Sequence, residues 1–312
     1  MQNKIKLGNY IFTDNLMELY NDIMSLNSHR ALDIRIAAEE ELPDIVAGRC
    51  NIDLFNNTST ILLKDYSLDE FTISHELLHE YLFRNGYLVT CTLGLNEGVE
   101  FIAGYIDDII AHKLILEEQN KRGFSSNIES KGYMEFLCSN LADTNNFEKD
   151  IFQILRMTEF MYVYDKYKNE YLDYLKQNSF INYGYACSIL EVIIKNNIRT
   201  PFEGRRALIR AFKQVENIAK EYGIDALGFD LLILVPMIVS EHQLEQVAFT
   251  VLEFRKDAIT IEDSDKISTL HLRSDGQCCW FIENYADEIE GVINNMLLKD
   301  FLKEYNIAFA IR

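Results

Sequence analysis

The amino-acid sequence predicts an α+β protein that is mostly helical. Three short strand patterns occur in the first part of the chain, where they lie between two amphipathic helices. From residue 128 onward, apolar residues recur every three or four positions over long stretches, which is typical of helices. Hydrophobic residues make up 48% of the 312 residues and only three are proline, so the chain can bury a sizeable core. We therefore expect a small mixed sheet with two helices, followed by a largely helical region.

The first elements are predicted to be a helix and three strands. Residues 14–27, DNLMELYNDIMSLN, have the spacing of an amphipathic helix, and Thr13 or Asp14 is suited to cap its start. Three β-rich stretches with turn residues between them follow, and we expect a strand in each of ALDIRIAAE, CNIDLF and STILLKD.

Two further helices are marked by residues typical of helix ends. Ser67 and Glu70 form a capping-box pattern at the start of the first of these helices. We expect this helix to run to about residue 85, because Gly86 is suited to end it. Asn96 has the character of a cap for the next helix, which should extend to about Gln119.

The later chain is dominated by helical periodicity. The most apolar run, GFDLLILVPMIVS at 228–240, contains Asp230 and Pro236, so it fits a buried core element better than a membrane span. The last ninety residues have a mixed pattern. Long helical periodicity is predicted in 128–142, 147–177, 183–197 and 203–221.

Charge and cysteine usage limit the compartment and the partners. The formal net charge of −19 argues against nucleic-acid and anionic-membrane binding, because both surfaces would repel the protein. The six cysteines form no C-x-x-C pair, and the first residues, MQNKIKLGNY, contain no apolar signal core. We therefore expect reduced thiols and a cytoplasmic protein. The oligomeric state is left open by the sequence.

The stretch SHELLHE carries the strongest functional signal. His75 and His79 are four residues apart, so they lie on one face of the predicted helix and can direct both rings at one point. Neutral imidazole is a preferred ligand of Zn²⁺, and Glu76 next to the first ligand can take a proton from a zinc-bound water. This is the H-E-x-x-H pattern of zinc peptidases. Chance alone produces this pattern in about one chain in a hundred of similar composition. Its apolar flanks, however, predict a buried helix, and two buried histidines need polar partners or a metal.

A zinc site of this kind needs a third protein ligand, and the next helix offers several. Residues 97 and 112 are roughly 22 Å apart along a helix axis, so the candidates cannot all serve. A simple antiparallel return brings the middle of the helix level with His75, whereas the eleven-residue loop before the helix also allows its start to reach the metal. Asp108 and His112 are spaced i, i+4, which fits a metal site or a plain helix-surface interaction. The candidates are Glu97, Glu100, Asp107, Asp108 and His112.

The segment HELLHEYLFRNGYLVTCTLGLNEGVEFIAGY resembles the zinc-binding stretch of the gluzincin aminopeptidases. In that family an N-E-G sequence follows H-E-x-x-H and its glutamate is the third ligand. The resemblance therefore implies Glu97, within Asn96-Glu97-Gly98, as the third zinc ligand. Glu100 is the next choice, with Asp108 and His112 behind it.

A second resemblance covers more of the chain. A strand, the edge strand STILLKD and then FTISHELLH are similar to the compact peptidases of the ImmA/IrrE group, whose third ligand is a carboxylate further along the following helix. That resemblance implies Asp107 or Asp108. Both resemblances imply a zincin core, which we place in residues 1–125, with a mainly helical region in 126–312 as the other wall of a substrate cleft.

The predicted activity is zinc-dependent hydrolysis of a peptide bond, with Glu76 as the general base and a peptide or protein as the substrate. The alternative is a non-catalytic, zinc-stabilised interaction or regulatory module. Glu76 favours the enzyme, since a purely structural zinc site would not need it. His242 and His271 have no recognisable ligand neighbours in the sequence.

Overall fold

The computed structural model confirms the mostly helical α+β class, with 53% helix and 20% strand. Two compact units are formed, one from residues 1–87 and 111–130 and the other from residues 88–110 and 131–312. The division at 125/126 stays a prediction. The structure describes residues 4–26, 30–43, 46–53, 56–87, 89–124, 137–138, 141–164, 168–261, 265–282 and 286–312.

The first unit contains the predicted helix, the three predicted strands and the H-E-x-x-H helix. A short hairpin precedes them, and the three longer strands form one sheet in the order β3-β5-β4. Strand β5 is parallel to β3 and antiparallel to β4, so the small sheet is mixed as expected. The bounds are β1 Lys6–Leu7, β2 Tyr10–Ile11, α1 Asp14–Leu26, β3 Ala31–Ile36, β4 Gly48–Asp53, β5 Thr58–Leu63 and α2 Glu70–Arg84.

The core of the first unit lies between this sheet and its helices. Leu16 and Ile23 of α1 are fully buried with Leu77 of α2, as the apolar face of each helix predicts. Ile61 and Leu63 of the central strand are also fully buried, and being two residues apart they point to the same side of the sheet. The H-E-x-x-H helix therefore shares one hydrophobic core with α1 and the central strand.

The start of α2 differs from the predicted capping box. Asp69 is the cap, and its carboxylate accepts a hydrogen bond from the backbone N–H of Thr72. Ser67 lies in a short 3₁₀ turn, Asp65–Ser67, where its hydroxyl donates to the carbonyl oxygen of Lys64 instead. The cap prediction was wrong because this turn shifts the helix start by two residues. The end was right, since α2 stops before Gly86, which has φ of 85°.

Helix α3, Glu97–Lys121, follows with Asn96 as its cap, as predicted. Its residues up to 110 belong to the second unit, where Ile106 is buried in the helical core. From residue 111 it belongs to the first unit, where Ile115 is buried with α1 and α2. The part of α3 that carries His112 is therefore in the same unit as the H-E-x-x-H helix.

From residue 147 to residue 221, the second unit contains four long helices. Most of the predicted helix 128–142 lies outside the described residues. The predicted helix 147–177 corresponds to two helices, and the other two predictions are confirmed with small shifts of their ends. The bounds are α4 Phe147–Val163, α5 Lys168–Asn178, α6 Phe180–Ile194 and α7 Pro201–Glu221.

The last part of the second unit is mixed, as its sequence pattern indicates. The run at 228–240 is buried as predicted, with the strands β7 and β8 on either side of Pro236. None of the helices in the described part of the chain is long and apolar enough to cross a membrane. The bounds are β6 Cys91–Thr92, α8 Phe229–Leu232, β7 Ile233–Leu234, β8 Met237–Val239, α9 Glu241–Leu244, α10 Ala248–Val251, β9 Leu252–Ile261, β10 Asp265–Leu272, β11 Cys278–Ile282, α11 Ala286–Val292, α12 Leu298–Glu304 and β12 Phe309–Ile311.

Candidate metal centre

Helix α2 places His75 and His79 one turn apart on the same face. Their ring centroids are 5.1 Å apart and the ring planes are nearly perpendicular, at 73°. Both residues are partly buried. This is the geometry that the i, i+4 spacing predicts for two imidazoles directed at a common point.

A third imidazole, from His112 of α3, completes the group. Its ring centroid lies 4.9 Å from that of His75 and 5.5 Å from that of His79. Each of the three histidines offers a ring nitrogen, and the three nitrogens lie within 4.8 Å of one another. A cation between them would have three nitrogen ligands, so these residues can hold a metal ion.

The carboxylates that the sequence put forward are not part of this group. Among the described residues, the set that could hold a metal ion consists of the three histidines. Glu97 is the exposed first residue of α3, and Glu100 accepts hydrogen bonds from the backbone N–H groups of Leu95 and Asn96 at the start of that helix. Asp108 is an exposed residue of α3. The structure thus brings His112, one of the alternatives, to the histidine pair.

Glu97 and His112 cannot bind the same ion. They are fifteen residues apart on one continuous helix, which separates them by roughly 22 Å along its axis. The signal that could have favoured His112 is its type, since imidazole is the donor already supplied by His75 and His79. The sequence does not contain the placement of α3 that brings this residue close.

The environment keeps two of the imidazoles neutral. Desolvation lowers the pKa of His75 well below its usual value, and the neighbouring rings of His112 and His79 lower it further. Desolvation, with a smaller effect of His112, lowers the pKa of His79 to about 3. A neutral imidazole has a lone pair available for a metal, so both residues are ready to act as ligands at neutral pH.

Glu76 is buried next to the first histidine, with 7% of its surface exposed. Its side chain packs against the first residue of β4, Gly48. A Cβ added at Gly48 would lie 2.8 Å from Cγ and 3.0 Å from Oε1 of Glu76, and 3.0 Å from the buried Leu63. Glycine at this position therefore leaves the space that the Glu76 carboxylate occupies.

The following turn of α2 is fixed by a second buried carboxylate. Glu80 accepts a hydrogen bond of 2.5 Å from the hydroxyl of Ser59 on β5 and one of 2.6 Å from Nε of Arg84. Arg30 lies 3.6 Å from the same carboxylate and donates to the hydroxyl of Ser59. Glu80, Arg84 and Arg30 are almost fully buried. Because buried charges need such partners, this network holds α2 to the sheet directly beside His79.

No protein-family model, curated protein or solved structure matches this chain. The two family resemblances of the H-E-x-x-H segment therefore have no support from these comparisons. What can be inferred about function comes from the histidine group and its surroundings.

The donor set restricts the chemistry of the site. Three imidazole nitrogens suit zinc and other late first-row metals, whereas calcium and magnesium prefer oxygen ligands. Three protein ligands also leave further coordination positions for water or a substrate. The residues present therefore fit a metal centre that is open to chemistry.

Proposed function

We propose that this protein is a zinc-dependent hydrolase of peptide bonds. Its zinc ligands are His75, His79 and His112, and Glu76 is its general base. The observation that supports this most strongly is the convergence of three imidazole nitrogens, two from α2 and one from α3, within 4.8 Å of one another. Helix α2 also places a buried glutamate beside the first of these histidines. A structural zinc site has no use for that glutamate.

The proposed ligand set contains His112 in the position that the gluzincin resemblance gave to Glu97. Three neutral histidines with one open coordination position are a known catalytic arrangement for zinc. The site would still be of the H-E-x-x-H type, because the first two ligands and the glutamate are unchanged.

Zinc held by His75, His79 and His112 would supply Lewis acidity, which would make water more acidic and polarise a carbonyl group. The remaining steps belong to residues of this chain. Glu76 takes a proton as the water oxygen attacks the carbonyl carbon, and it passes that proton to the nitrogen as the C–N bond breaks. Packing against Gly48 restricts the Glu76 side chain, so the base is already positioned before a substrate binds.

The substrate is proposed to be a peptide or protein that is neutral or basic. The formal net charge of −19 would slow the approach of acidic substrates and favour basic ones. This preference should decrease as salt is added, because exposed charges are screened over about 10 Å at 0.1 M.

Replacing Glu76 tests the mechanism. Peptide libraries and denatured proteins are first screened for cleavage by the zinc-loaded protein, with the His75→Ala variant as the blank. Glu76→Gln keeps the side-chain size and should retain zinc and folding, while the cleavage rate falls by about 10²- to 10⁴-fold. Glu159→Gln is a matched control, because Glu159 is also a buried glutamate, 6% exposed, that accepts a hydrogen bond from Tyr105. Its cleavage rate should stay near that of the parent.

Two results would contradict the proposal. Cleavage by Glu76→Gln at the parental rate would exclude Glu76 as the base. Zinc bound at one per chain without cleavage of any substrate would instead support the non-catalytic, zinc-stabilised module.

A further inference from the structure

Helix α3 carries a buried glutamine, Gln119, seven residues after His112. Seven residues are close to two helical turns, so both side chains lie on the same face of α3, about 10 Å apart along its axis. Gln119 is 1% exposed. Its side-chain Nε2 donates to the carbonyl oxygen of Phe71 at 3.0 Å and to the hydroxyl oxygen of Ser74 at 2.9 Å.

Both acceptors belong to the turn of α2 that leads into the metal site. Ser74 directly precedes His75. The carbonyl of Phe71 is the i−4 position for His75, so in an α-helix it also accepts the backbone N–H of that histidine. The hydroxyl of Ser74 donates to the same carbonyl at 2.9 Å. One amide therefore links the face of α3 that carries His112 to the turn that positions His75.

Stability alone gives a poor reason for glutamine at this position. Its Oε1 is buried and has no hydrogen-bond partner among the described residues, which carries a desolvation cost. A methionine would fill a similar volume without that cost. A role in positioning α3 therefore explains the Gln119 amide better than a contribution to stability does.

The end of α3 has other attachments to the same unit. Arg122 donates to the carboxylate of Asp22 on α1 at 2.7 Å, and Phe124 is buried in the core at 2% exposure. Loss of the Gln119 amide should therefore leave α3 docked while it allows the helix to shift or rotate slightly.

We propose that Gln119 is a positioning residue that sets the location of His112 relative to His75 and His79, and so determines how tightly the site binds zinc. This inference rests on the proposed zinc site. Zinc–imidazole bonds have lengths of about 2.0–2.1 Å and tetrahedral directions, so a small displacement of one ligand weakens binding of the ion.

Zinc affinity of the Gln119→Met variant tests the proposal without any need for a substrate. The Kd for Zn²⁺ is measured by competition with a chromophoric chelator, and Co²⁺ is used to compare the visible absorption of the metal site. We expect the Kd to rise by about tenfold or more, as is common when a residue that supports a ligand is removed. The Co²⁺ spectrum should change, while the midpoint of thermal unfolding of the metal-free protein should stay close to that of the parent.

Gln277→Met is a matched control from the second unit. Gln277 is 2% exposed, and its Nε2 donates to the carbonyl oxygens of Phe229 and Ile233 at 2.7 and 2.6 Å. It has the same kind of buried amide with two acceptors, but it is attached to other elements. This variant should leave the Kd for Zn²⁺ and the Co²⁺ spectrum unchanged.

Ser74→Ala provides a second variant with a smaller change. It removes one acceptor of the Gln119 amide and leaves the other, so the Kd should rise by less than in Gln119→Met. Because both substitutions break the same link, their effects on the Kd should be less than additive in the double variant.

The outcomes separate this inference from the zinc site itself. If the parent binds zinc and His112→Ala abolishes binding, but Gln119→Met and Ser74→Ala bind as tightly as the parent, the positioning role is wrong and the zinc site stands. If the parent binds no zinc, both are wrong.

Discussion

The chain shields imidazoles from solvent in two very different ways. His271 of β10 is fully buried, and both of its ring nitrogens have protein partners: the hydroxyl of Thr269 at 2.9 Å and the carbonyl oxygen of Gly276 at 3.0 Å. In the first unit, His75, His79 and His112 instead direct ring nitrogens toward one another, within 4.8 Å. Burial of a histidine is therefore no sign of a metal site, whereas convergence of several is.

The electrostatic consequence is similar in both places, so it does not distinguish them. Desolvation lowers the pKa of His271, as it lowers the pKa values of His75 and His79. A neutral imidazole is the result each time. The difference lies in what satisfies the nitrogens, namely protein groups at His271 and, in our proposal, a zinc ion at the three-histidine group.

The largest effect that would test this difference is loss of zinc from the three-histidine group. His112→Ala should weaken zinc binding by more than the roughly 10- to 100-fold that follows loss of a group that only supports a ligand. Glu97→Ala should leave the zinc content, measured by elemental analysis after dialysis, at about one per chain. Glu97 is exposed at the start of α3, so its replacement should also leave folding intact.

The opposite result for these two variants would contradict the proposed ligand set of His75, His79 and His112. Zinc retained by His112→Ala and lost from Glu97→Ala would favour the ligand that the gluzincin resemblance implies. Asp108→Ala is a useful control, because it is on the same helix and changes an exposed carboxylate.

The parts of the site that the sequence predicted are those fixed by local geometry. The spacing of His75 and His79 determines their common face as soon as α2 is a helix, and Asn96 and Gly86 mark helix ends through their own backbone preferences. The proposed third ligand, His112, depends on where α3 passes relative to α2. That placement is set by core residues such as Ile115 and by contacts such as that of Gln119 with Ser74, which no short sequence pattern contains.

Loop length and helix rise leave two placements of α3 open. One of them, a return that brings the middle of the helix level with His75, is the arrangement in the structure, where His112 lies beside His75 and His79. The residue chosen with that alternative was Asp107 or Asp108, four or five positions before His112. Loop length does not fix the position of a helix to within one turn, and it is the packing of α3 in the fold that places His112 beside the histidine pair.

Metal removal gives the next largest effect, and it should act on the three-histidine group alone. Zinc at 100 times its Kd should stabilise the folded protein by about 2.7 kcal/mol, because it binds the folded state in preference to the unfolded one. Thermal unfolding is measured with EDTA and with increasing zinc. The midpoint should rise with zinc concentration in the parent and in His271→Ala, and should not respond in His112→Ala.

A zinc response in His112→Ala as large as in the parent would show that the ion stabilises the protein elsewhere. The control with His271→Ala matters because it removes a buried imidazole that is not proposed to bind zinc.

His271→Ala should destabilise the protein by about 2 kcal/mol, because it leaves the hydroxyl of the buried Thr269 without its partner and creates a cavity. The pH dependence should also change. The pKa of His271 is lowered in the folded state, so below about pH 6.5 the unfolded chain takes up a proton that the folded state does not. Stability from this residue is present above that pH and decreases as the pH falls.

Chemical denaturation at pH 8 and pH 5.5 checks this expectation with EDTA present. The difference in unfolding free energy between the parent and His271→Ala should be larger at pH 8. An equal difference at both pH values would mean that burial of the His271 ring does not disfavour its charged form.

A further effect concerns a partly buried acid, and it should have the opposite pH dependence. Desolvation raises the pKa of Asp107 to about 7, with a further contribution from Asp108, while the backbone N–H of Thr90, which donates to its carboxylate at 3.0 Å, lowers it. Between about pH 4 and 7 the folded state therefore binds a proton that the unfolded state releases. Stability from the protonated Asp107 is present below this range and is lost as the pH rises through 7. Asp107→Asn keeps an acceptor for Thr90 and cannot ionise, so its stability relative to the parent should increase between pH 5 and pH 8, by more than about 1 kcal/mol, since each pH unit below the pKa of about 7 corresponds to about 1.4 kcal/mol. Urea denaturation of the metal-free parent and variant at the two pH values measures this change.

Asp107→Asn that is less stable than the parent at pH 8 would show that the ionised carboxylate has a favourable partner. Zinc affinity should be the same in both proteins, because Asp107 is not part of the histidine group.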